Sequence, residues 1–371
     1  MKVGFIIVAL AILFSLNGYV MLRGWQSLPN SSYIRPIFLI TAIVLFICMF
    51  AGMIFGNSMP PTLAKSVSFI GYSYIIIFIY LFVSFLLVDL VRIVNFFIGF
   101  APAGMAAFRQ WIMMITLGTT AIAMIYGNYK FNHPDIVTLN ISSEKPSQHK
   151  TLKIVAATDI HLGISIDKKR LQSYVKLIND QHPDIVLLAG DVSDRSMIPV
   201  INQNMDEELR TIKARYGVYA INGNHEHYAE TLTATADYLK SAGINVLRDE
   251  VALVDSSFYI VGRDDRSNPR RKPLIELVKG LDQSKPRILL DHQPYHLEEA
   301  EKNDIDLQIS GHTHDGQFFP GNLIVKHMYE LGHGYVKRGK THFYVSSGLG
   351  LWGPQYRIGT QSEIVVINIK Y

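Results

Sequence analysis

Four stretches of the chain carry no charged residue: Val3 to Leu22, Pro36 to Ala64, Ser66 to Val88 and Gln110 to Tyr129. A helix needs ~20 mostly apolar residues to cross the hydrocarbon core of a bilayer, and each stretch reaches that length. Helices buried in a soluble protein can also be apolar throughout, but four in succession at this length predict four transmembrane helices within residues 1–130. Between Arg92 and Arg109 lies IVNFFIGFAPAGMAAF, apolar but interrupted by Pro and Gly, which reads as a re-entrant or interfacial segment. The first stretch follows Met1 and Lys2 as in a signal peptide. No small-residue cleavage site stands out and three more spans follow, so it reads as a retained anchor.

Beyond Tyr129 the pattern turns polar. HPDIVTLNI followed by SSEKPSQHK reads as a first strand and a connector, residues 131–151. From Leu152 short apolar runs recur: LKIVAATD, DIVLLAGD, GVYAING, FYIVG, RILLDH, LQISGH, HFYVSSG and EIVVINI. Helix-like stretches separate several of them, at Lys168–Gln181, Met205–Arg215, Ala229–Gly243 and Pro273–Gly280. This alternation predicts an α/β domain over residues 152–371, its sheets covered by helices, and the length allows one substantial core.

Composition changes the picture in three places. Charged residues are 18% of the 371-residue chain, against ~25% in ordinary soluble domains, and the deficit falls in the four apolar stretches. Lys2, Lys65 and Lys130 on one side of the spans nearly balance Arg23, Arg35, Arg92 and Arg109 on the other. The small bias leans toward a C-terminal half outside the cytoplasm. The only charges inside the predicted spans are Asp89 and Arg92 near one end, placed to pair on a helix, so a transporter with an ion path is disfavoured. Cys48 is the only cysteine, which excludes an intramolecular disulfide and a cysteine metal site. The net charge of +4 is too mild to indicate nucleic acid.

The chemistry gathers where the strands end. VAATDIHLG ends in Asp159 and His161. VLLAGDVSD supplies Asp191 and Asp194, AINGNHEHY supplies Asn224 and His225, ILLDHQP supplies His292, and QISGHTH supplies His312 and His314. Each alone is ordinary: an Asp there is usually a cap or turn residue, and His-x-His can be two polar residues on one solvated strand face. Five such sites at successive strand ends are different, because layered α/β proteins bind ligands beyond the carboxyl ends of strands. Carboxylate with imidazole suits Mn, Fe or Zn better than Ca or Mg. These candidate ligands exceed one tetrahedral site and fit two metals sharing a carboxylate.

Taken in order, Asp159-Ile-His161, Gly190-Asp191-Val-Ser-Asp194, Gly223-Asn224-His225-Glu226, His292 and Gly311-His312-Thr-His314 resemble the motifs of the calcineurin-like metallophosphoesterase superfamily. The tail FYVSSGLGLWGPQYRIGTQSEIVVINI is similar to a membrane-associated bacterial branch that includes UDP-diacylglucosamine hydrolase-like proteins. The resemblance covers Pro134 to the C-terminus. It implies a four-layer α-β-β-α sandwich. It also implies that Asp159, His161 and His314 bind one divalent metal and Asn224, His292 and His312 another, with Asp191 bridging both. His225 would stand near the leaving group without binding metal. Mn is the metal expected, with Fe and Zn the alternatives. Two departures stand out: Asp315 where a glycine commonly follows the last histidine, and His227 where an aromatic is common. Neither replaces an implied ligand.

Such a pair of metals lowers the pKa of bound water, so hydroxide attacks phosphorus directly. A protonated His225 would serve the leaving oxygen as general acid, supported by Asp194 or another carboxylate. The expected protein is thus a multi-pass plasma-membrane phosphoesterase acting on a phosphorylated, lipid-linked or membrane-proximal substrate. A basic run, Arg263, Arg266, Arg270, Arg271 and Lys272, reads either as a solvated loop or as a reader of phosphate, since Arg pairs bidentately with it. The alternatives are a nucleotide phosphodiesterase and a metal-binding membrane sensor or scaffold without turnover.

Overall fold

The computed structural model describes residues 2–100, 106–228 and 232–371. The chain divides into two compact units, Met1–Tyr126 and Gly127–Tyr371. Helices α1 (Lys2–Ser27), α2 (Ile34–Phe55), α3 (Pro61–Ile98) and most of α4 (Ala106–Asn132) form the first. Each of the four is long and apolar enough to cross a membrane.

Two details differ from the pattern along the chain. The charge-free run from Pro36 to Ala64 is not one helix: α2 stops at Phe55, and α3 begins at Pro61. Proline is tolerated in a first helical turn, where its missing N–H costs nothing. The segment after Arg92 is not re-entrant at its start, because α3 continues through it to Ile98. It ends at Gly99, whose φ of 67° is the left-handed conformation that closes helices. Residues 101–105 of that segment lie outside the described residues.

Within the first unit, α2 and α3 approach through small residues. A Cβ on Gly71 would stand 2.5 Å from the Met49 Cα, so only glycine allows this backbone contact. Asp89 pairs with Arg92 at 3.0 Å, as their spacing suggests, and also with Arg23 at 2.7 Å.

Among the described residues, the second unit contains the end of α4 and twelve strands. Its elements run β1 (Asp135–Ser142), β2 (Thr151–Ala157), α5 (Lys168–Asn179), β3 (Ile185–Ala189), α6 (Ile198–Asn202), α7 (Met205–Leu209) and β4 (Val218–Ile221). Then come α8 (Asn224–Tyr228), α9 (Leu232–Ser241), β5 (Ile244–Leu247), β6 (Glu250–Val254), β7 (Phe258–Gly262), α10 (Leu274–Leu277) and β8 (Arg287–Leu290). The chain closes with α11 (Glu298–Lys302), β9 (Leu307–Ser310), α12 (Gly321–Met328), β10 (Gly334–Arg338), β11 (Thr341–Val345) and β12 (Glu363–Lys370). Two six-stranded sheets result, ordered β1-β12-β2-β3-β4-β5 and β10-β11-β9-β8-β7-β6. Strands β2 to β5 are parallel, as are β7, β8, β9 and β11.

The period of two explains the layering. In β2, Ile154 and Ala156 join the core between the sheets, while Val155 and Ala157 face the core under α5 and α9. In β3, Ile185 and Leu187 point inward, while Val186 and Leu188 face the helices. On the second sheet Val261, Leu289 and Phe343 pack under Leu274, Leu297 and Ala300. This is the expected α-β-β-α stack. Strands buried on both faces read as continuous apolar runs, which is why they stand out in the sequence. Strands β5, β6 and β10 were not expected: they are short, and β6 and β10 are edge strands with half-exposed residues. The helix expected from Met205 to Arg215 ends at Leu209, and residues 229–231 of the stretch from Ala229 lie outside the described residues.

Phe258 is fully buried between the sheets. Phe258→Ala is expected to cost ~3–5 kcal/mol, seen as a lower thermal midpoint of the detergent-solubilised protein. An unchanged midpoint would contradict this packing.

Candidate metal centre

Parallel strands deliver their carboxyl ends to one edge, and the loops after β2, β3, β4, β8 and β9 meet there. Backbone bonds stitch them together: Asp159 N–H donates to Gly190 O at 3.0 Å, His161 N–H to Asp191 O at 2.9 Å, and Gly311 N–H to His292 O at 2.9 Å. Contacts also join the two sheets. The His312 N–H donates to the Asp159 carboxyl at 3.1 Å, and His292 Nδ1 bonds Ala189 O at 2.8 Å.

Three overlapping groups offer ligand atoms that all lie within 4.8 Å of one another: Asp159, His161 and His314; His161, Asp191 and His225; Asp159, Asp191 and His292. His314 Nε2 stands 3.4 Å from Asp159 Oδ1, and His292 Nε2 3.3 Å from Asp191 Oδ2. Asn224 and His312 are outside these groups but meet each other, Oδ1 to Nδ1, at 2.7 Å. The His312 ring lies 5.3 Å from that of His292. All seven expected ligands and His225 therefore come together at one buried edge of the sandwich.

The donor set fits a cation. His161 Nε2 and His314 Nε2 face each other at 3.2 Å. Burial lowers the pKa of His161, and burial together with His161 holds His314 well below its ordinary value. A cation between the two Nε2 atoms would take both neutral imidazoles as ligands and compensate the buried Asp159 carboxyl beside them. Nitrogens at metal-ligand distances of 2.0–2.1 Å in a tetrahedral arrangement stand about 3.3 Å apart. Burial would lower the pKa of His292, but the Asp191 and Asp159 carboxyls outweigh it and raise it well above its usual value. Its Nδ1 is occupied by Ala189, so Nε2 is the atom turned to the carboxyls.

The backbone is strained where the expected ligands sit. Asp159, His161, Asp191, His312 and His314 have φ of 52°, 55°, 51°, 73° and 50°, in the left-handed region that side chains rarely occupy. Such conformations cluster at functional sites and must be held by their surroundings. Glycines make room for them: a Cβ on Gly223 would stand 2.1 Å from Asp191 Oδ1, and one on Gly311 2.2 Å from Asp159 Oδ2.

Two buried side chains do much of the holding, and neither drew attention as a single residue in the sequence. The Glu226 carboxyl accepts from the N–H groups of Asp191, Ser193 and Gly223 at 3.1, 2.8 and 2.7 Å. Burial and the Asp191 carboxylate push its pKa up to about 7. Arg357 has no exposed surface. It donates to the carbonyls of His314, Ser347, Gly348 and Gly350 at 2.9, 2.7, 3.0 and 2.8 Å. Burial lowers its pKa to about 10, so it remains a cation at neutral pH. Glu226 had a signal, its place directly after Asn224 and His225. Arg357 lies in the quoted tail, far from every ligand in sequence.

His225 is oriented by Asp194, its Nδ1 2.9 Å from Asp194 Oδ1, which decides among the carboxylates considered for that role. Its Nε2 lies 4.0 Å from Asp191 Oδ2. Burial would lower its pKa, but Asp194 and Asp191 raise it. The two departures from the motif face other partners: His227 Nε2 pairs with Asp264 Oδ1 at 2.9 Å, and Asp315 Oδ2 lies 3.9 Å from His333 Nδ1. The basic loop is divided. Arg263 pairs with Asp291 and Glu299, and Arg271 with Asp291. Arg266 is exposed and lies over the ring of Tyr295, 4.3 Å from its centroid.

Residues 152–316 match the family model for calcineurin-like phosphoesterases. An uncharacterised metallophosphoesterase of Campylobacter jejuni is 31% identical over 95% of each chain. A transmembrane protein with metallophosphoesterase domain from Danio rerio is 31% identical over 71% of this chain, which spans 63% of that protein. An uncharacterised metallophosphoesterase of Aquifex aeolicus is 33% identical, over 62% of this chain and 89% of its own length.

Arg357→Lys should weaken retention of a divalent metal by ~10–100-fold, the range for residues that position ligands, because an ammonium lacks the guanidinium's fork of donors. Metal content after dialysis checks this. Undiminished retention would confine Arg357 to folding.

Proposed function

The chain belongs to the metallophosphoesterase family, and on that footing we propose that it is a membrane-anchored phosphoesterase that holds two divalent cations and hydrolyses phosphate ester or diphosphate bonds. The observation that carries this reading is His225. It is tied by Nδ1 to Asp194 and presents Nε2 to the cluster of carboxyls and imidazoles. A protein that only stored or sensed metal would have no use for an oriented proton donor there.

In this reading Asp159, His161 and His314 would hold one cation and Asn224, His292 and His312 the second, with Asp191 serving both. The bound cations would supply the charge that polarises the phosphoryl group and lowers the pKa of the attacking water. The protein does the rest. Asp194 keeps the Nδ1 proton of His225 engaged, so the proton to be delivered sits on Nε2. His225 donates it to the leaving oxygen as bond cleavage proceeds. Glu226 and Arg357 keep the ligand loops in their strained conformations. Mn is the metal of choice, Fe and Zn being compatible with the same donors.

The substrate is read as an anionic, lipid-linked or membrane-proximal phosphate at the plasma membrane. The four apolar helices support this, as does Arg266, which is exposed and, among the described residues, forms no ion pair with a carboxylate like those of Arg263 and Arg271. The likeness of the tail to UDP-diacylglucosamine hydrolase-like proteins supports a diphosphate-linked lipid.

Hydrolysis of bis-p-nitrophenyl phosphate by the detergent-solubilised protein tests the proposal. Turnover with Mn²⁺ is expected, with loss on chelation and in Asp191→Ala. Metal that stays bound without any turnover would favour the sensor or scaffold reading. His225→Ala should keep its metal while turnover falls ~10²–10⁴-fold, the range for a lost general acid. If that variant lost its metal instead, His225 would be a ligand.

A further inference from the structure

The loop after the last pair of histidines carries a surface that the proposed chemistry does not use. In α12 no residue is buried. Leu323, Ile324 and Met328 are 48%, 58% and 63% exposed, and the preceding Phe319 is 49% exposed. From Gln317 to Met328 the only charged or titratable side chains are Lys326 and His327, with no carboxylate. Val325 turns the other way, its Cγ1 close to Gly332. Leu323, Ile324 and Met328 thus form an apolar stripe on an amphipathic turn, bordered by a lysine. Contiguous exposed apolar surface marks an interaction site.

What lies against this band follows from how it is anchored. Phe318 bridges to Ile358, and the Phe319 N–H donates to Ile358 O at 2.7 Å. The Arg357 N–H donates to Gly127 O at 2.9 Å, and Asn128 Nδ2 to Gln355 O at 3.0 Å. A Cβ on Gly127 would stand 2.7 Å from Ile358 Cγ1. Residues 127 and 128 belong to the end of α4, a helix long and apolar enough to cross a membrane. The strip of chain that roots the apolar band is therefore packed on the last turns of a spanning helix. Trp352 is also part-exposed, and its carbonyl accepts from Gln317 Nε2 at 3.3 Å. Apolar side chains with a flanking lysine suit the headgroup layer, and tryptophan favours the same depth.

We propose that α12, with Phe319 and Trp352, rests in the headgroup layer of the membrane that the chain spans. Resting on the phosphoesterase reading, this makes the substrate an amphiphile drawn from that bilayer. Trp352 and Tyr228 lie 6.2 and 5.9 Å from the His225 ring. The lipid portion then runs along these aromatics on the side where His225 protonates the leaving oxygen.

The test uses the full chain in lipid nanodiscs. Cys48→Ser removes the one native thiol, and Ile324→Cys carries an environment-sensitive fluorophore. Lys240→Cys, on the exposed side of α9, is the control. The label at 324 should emit to the blue and be quenched by lipids bearing nitroxide on the upper acyl chain, at least about threefold more deeply than the label at 240. Equal quenching at both sites, with equal access to aqueous iodide, overturns the proposal. A blue-shifted label that nitroxide lipids do not quench also overturns it, because a second copy or another protein would then cover the face. The readout needs no turnover, so it stands apart from the phosphoesterase reading, which fails if bis-p-nitrophenyl phosphate is not hydrolysed with Mn²⁺ present.

Discussion

Asp159 and Asp191 are buried where the two sheets meet, and the rest of the second unit answers to that placement. Carboxylates without water are costly unless paired or bound to metal. Here imidazoles from loops of both sheets surround them, with His292 close to Asp191 and His314 close to Asp159. A bound cation would answer both sides of the problem at once: it would compensate the carboxyls and take as ligands the ring nitrogens that His161 and His314 turn toward each other.

That arrangement requires a rigid frame. Five of the expected ligand positions are in left-handed backbone, which is uncommon even for Asp and His, the side chains that tolerate it best. The frame is polar and buried. Glu226 gathers three N–H groups of two loops, and Arg357 gathers carbonyls from His314 and from the loop after β11. A guanidinium with no exposed surface is stable only because nearly every donor has a partner. The two residues mirror each other, an acceptor for N–H groups on one sheet and a donor to carbonyls on the other. Loops that would otherwise be mobile are thereby made part of the core.

The same frame reaches α4. Arg357 binds His314 through its side chain and Gly127 through its backbone N–H. One residue thus links the end of an apolar helix to the loop of an expected ligand. The apolar band of α12 grows from the neighbouring strand bridge, so the candidate metal centre, the helix end and the exposed apolar face share a single short stretch of chain.

The sequence by itself determined the four apolar helices, the strands buried on both faces and the carboxyls and imidazoles at the strand ends. Each of these depends on local pattern: a bilayer demands a long apolar run, a doubly covered strand an unbroken one, and a polar residue directly after such a run stands out. The helix boundary at Pro61, the continuation of α3 past Arg92 and the edge strands β6 and β10 were less legible, because local apolarity there does not coincide with the element. Tertiary structure alone decided that Asp194 is the partner of His225, that Arg263 and Arg271 are taken up by Asp291 and Glu299, and that Arg357 lies behind His314. Those pairings join residues far apart along the chain: neighbouring parallel strands of one sheet bring Asp194 to His225 and Arg263 to Asp291, and the meeting of the two sheets brings Arg357 to His314.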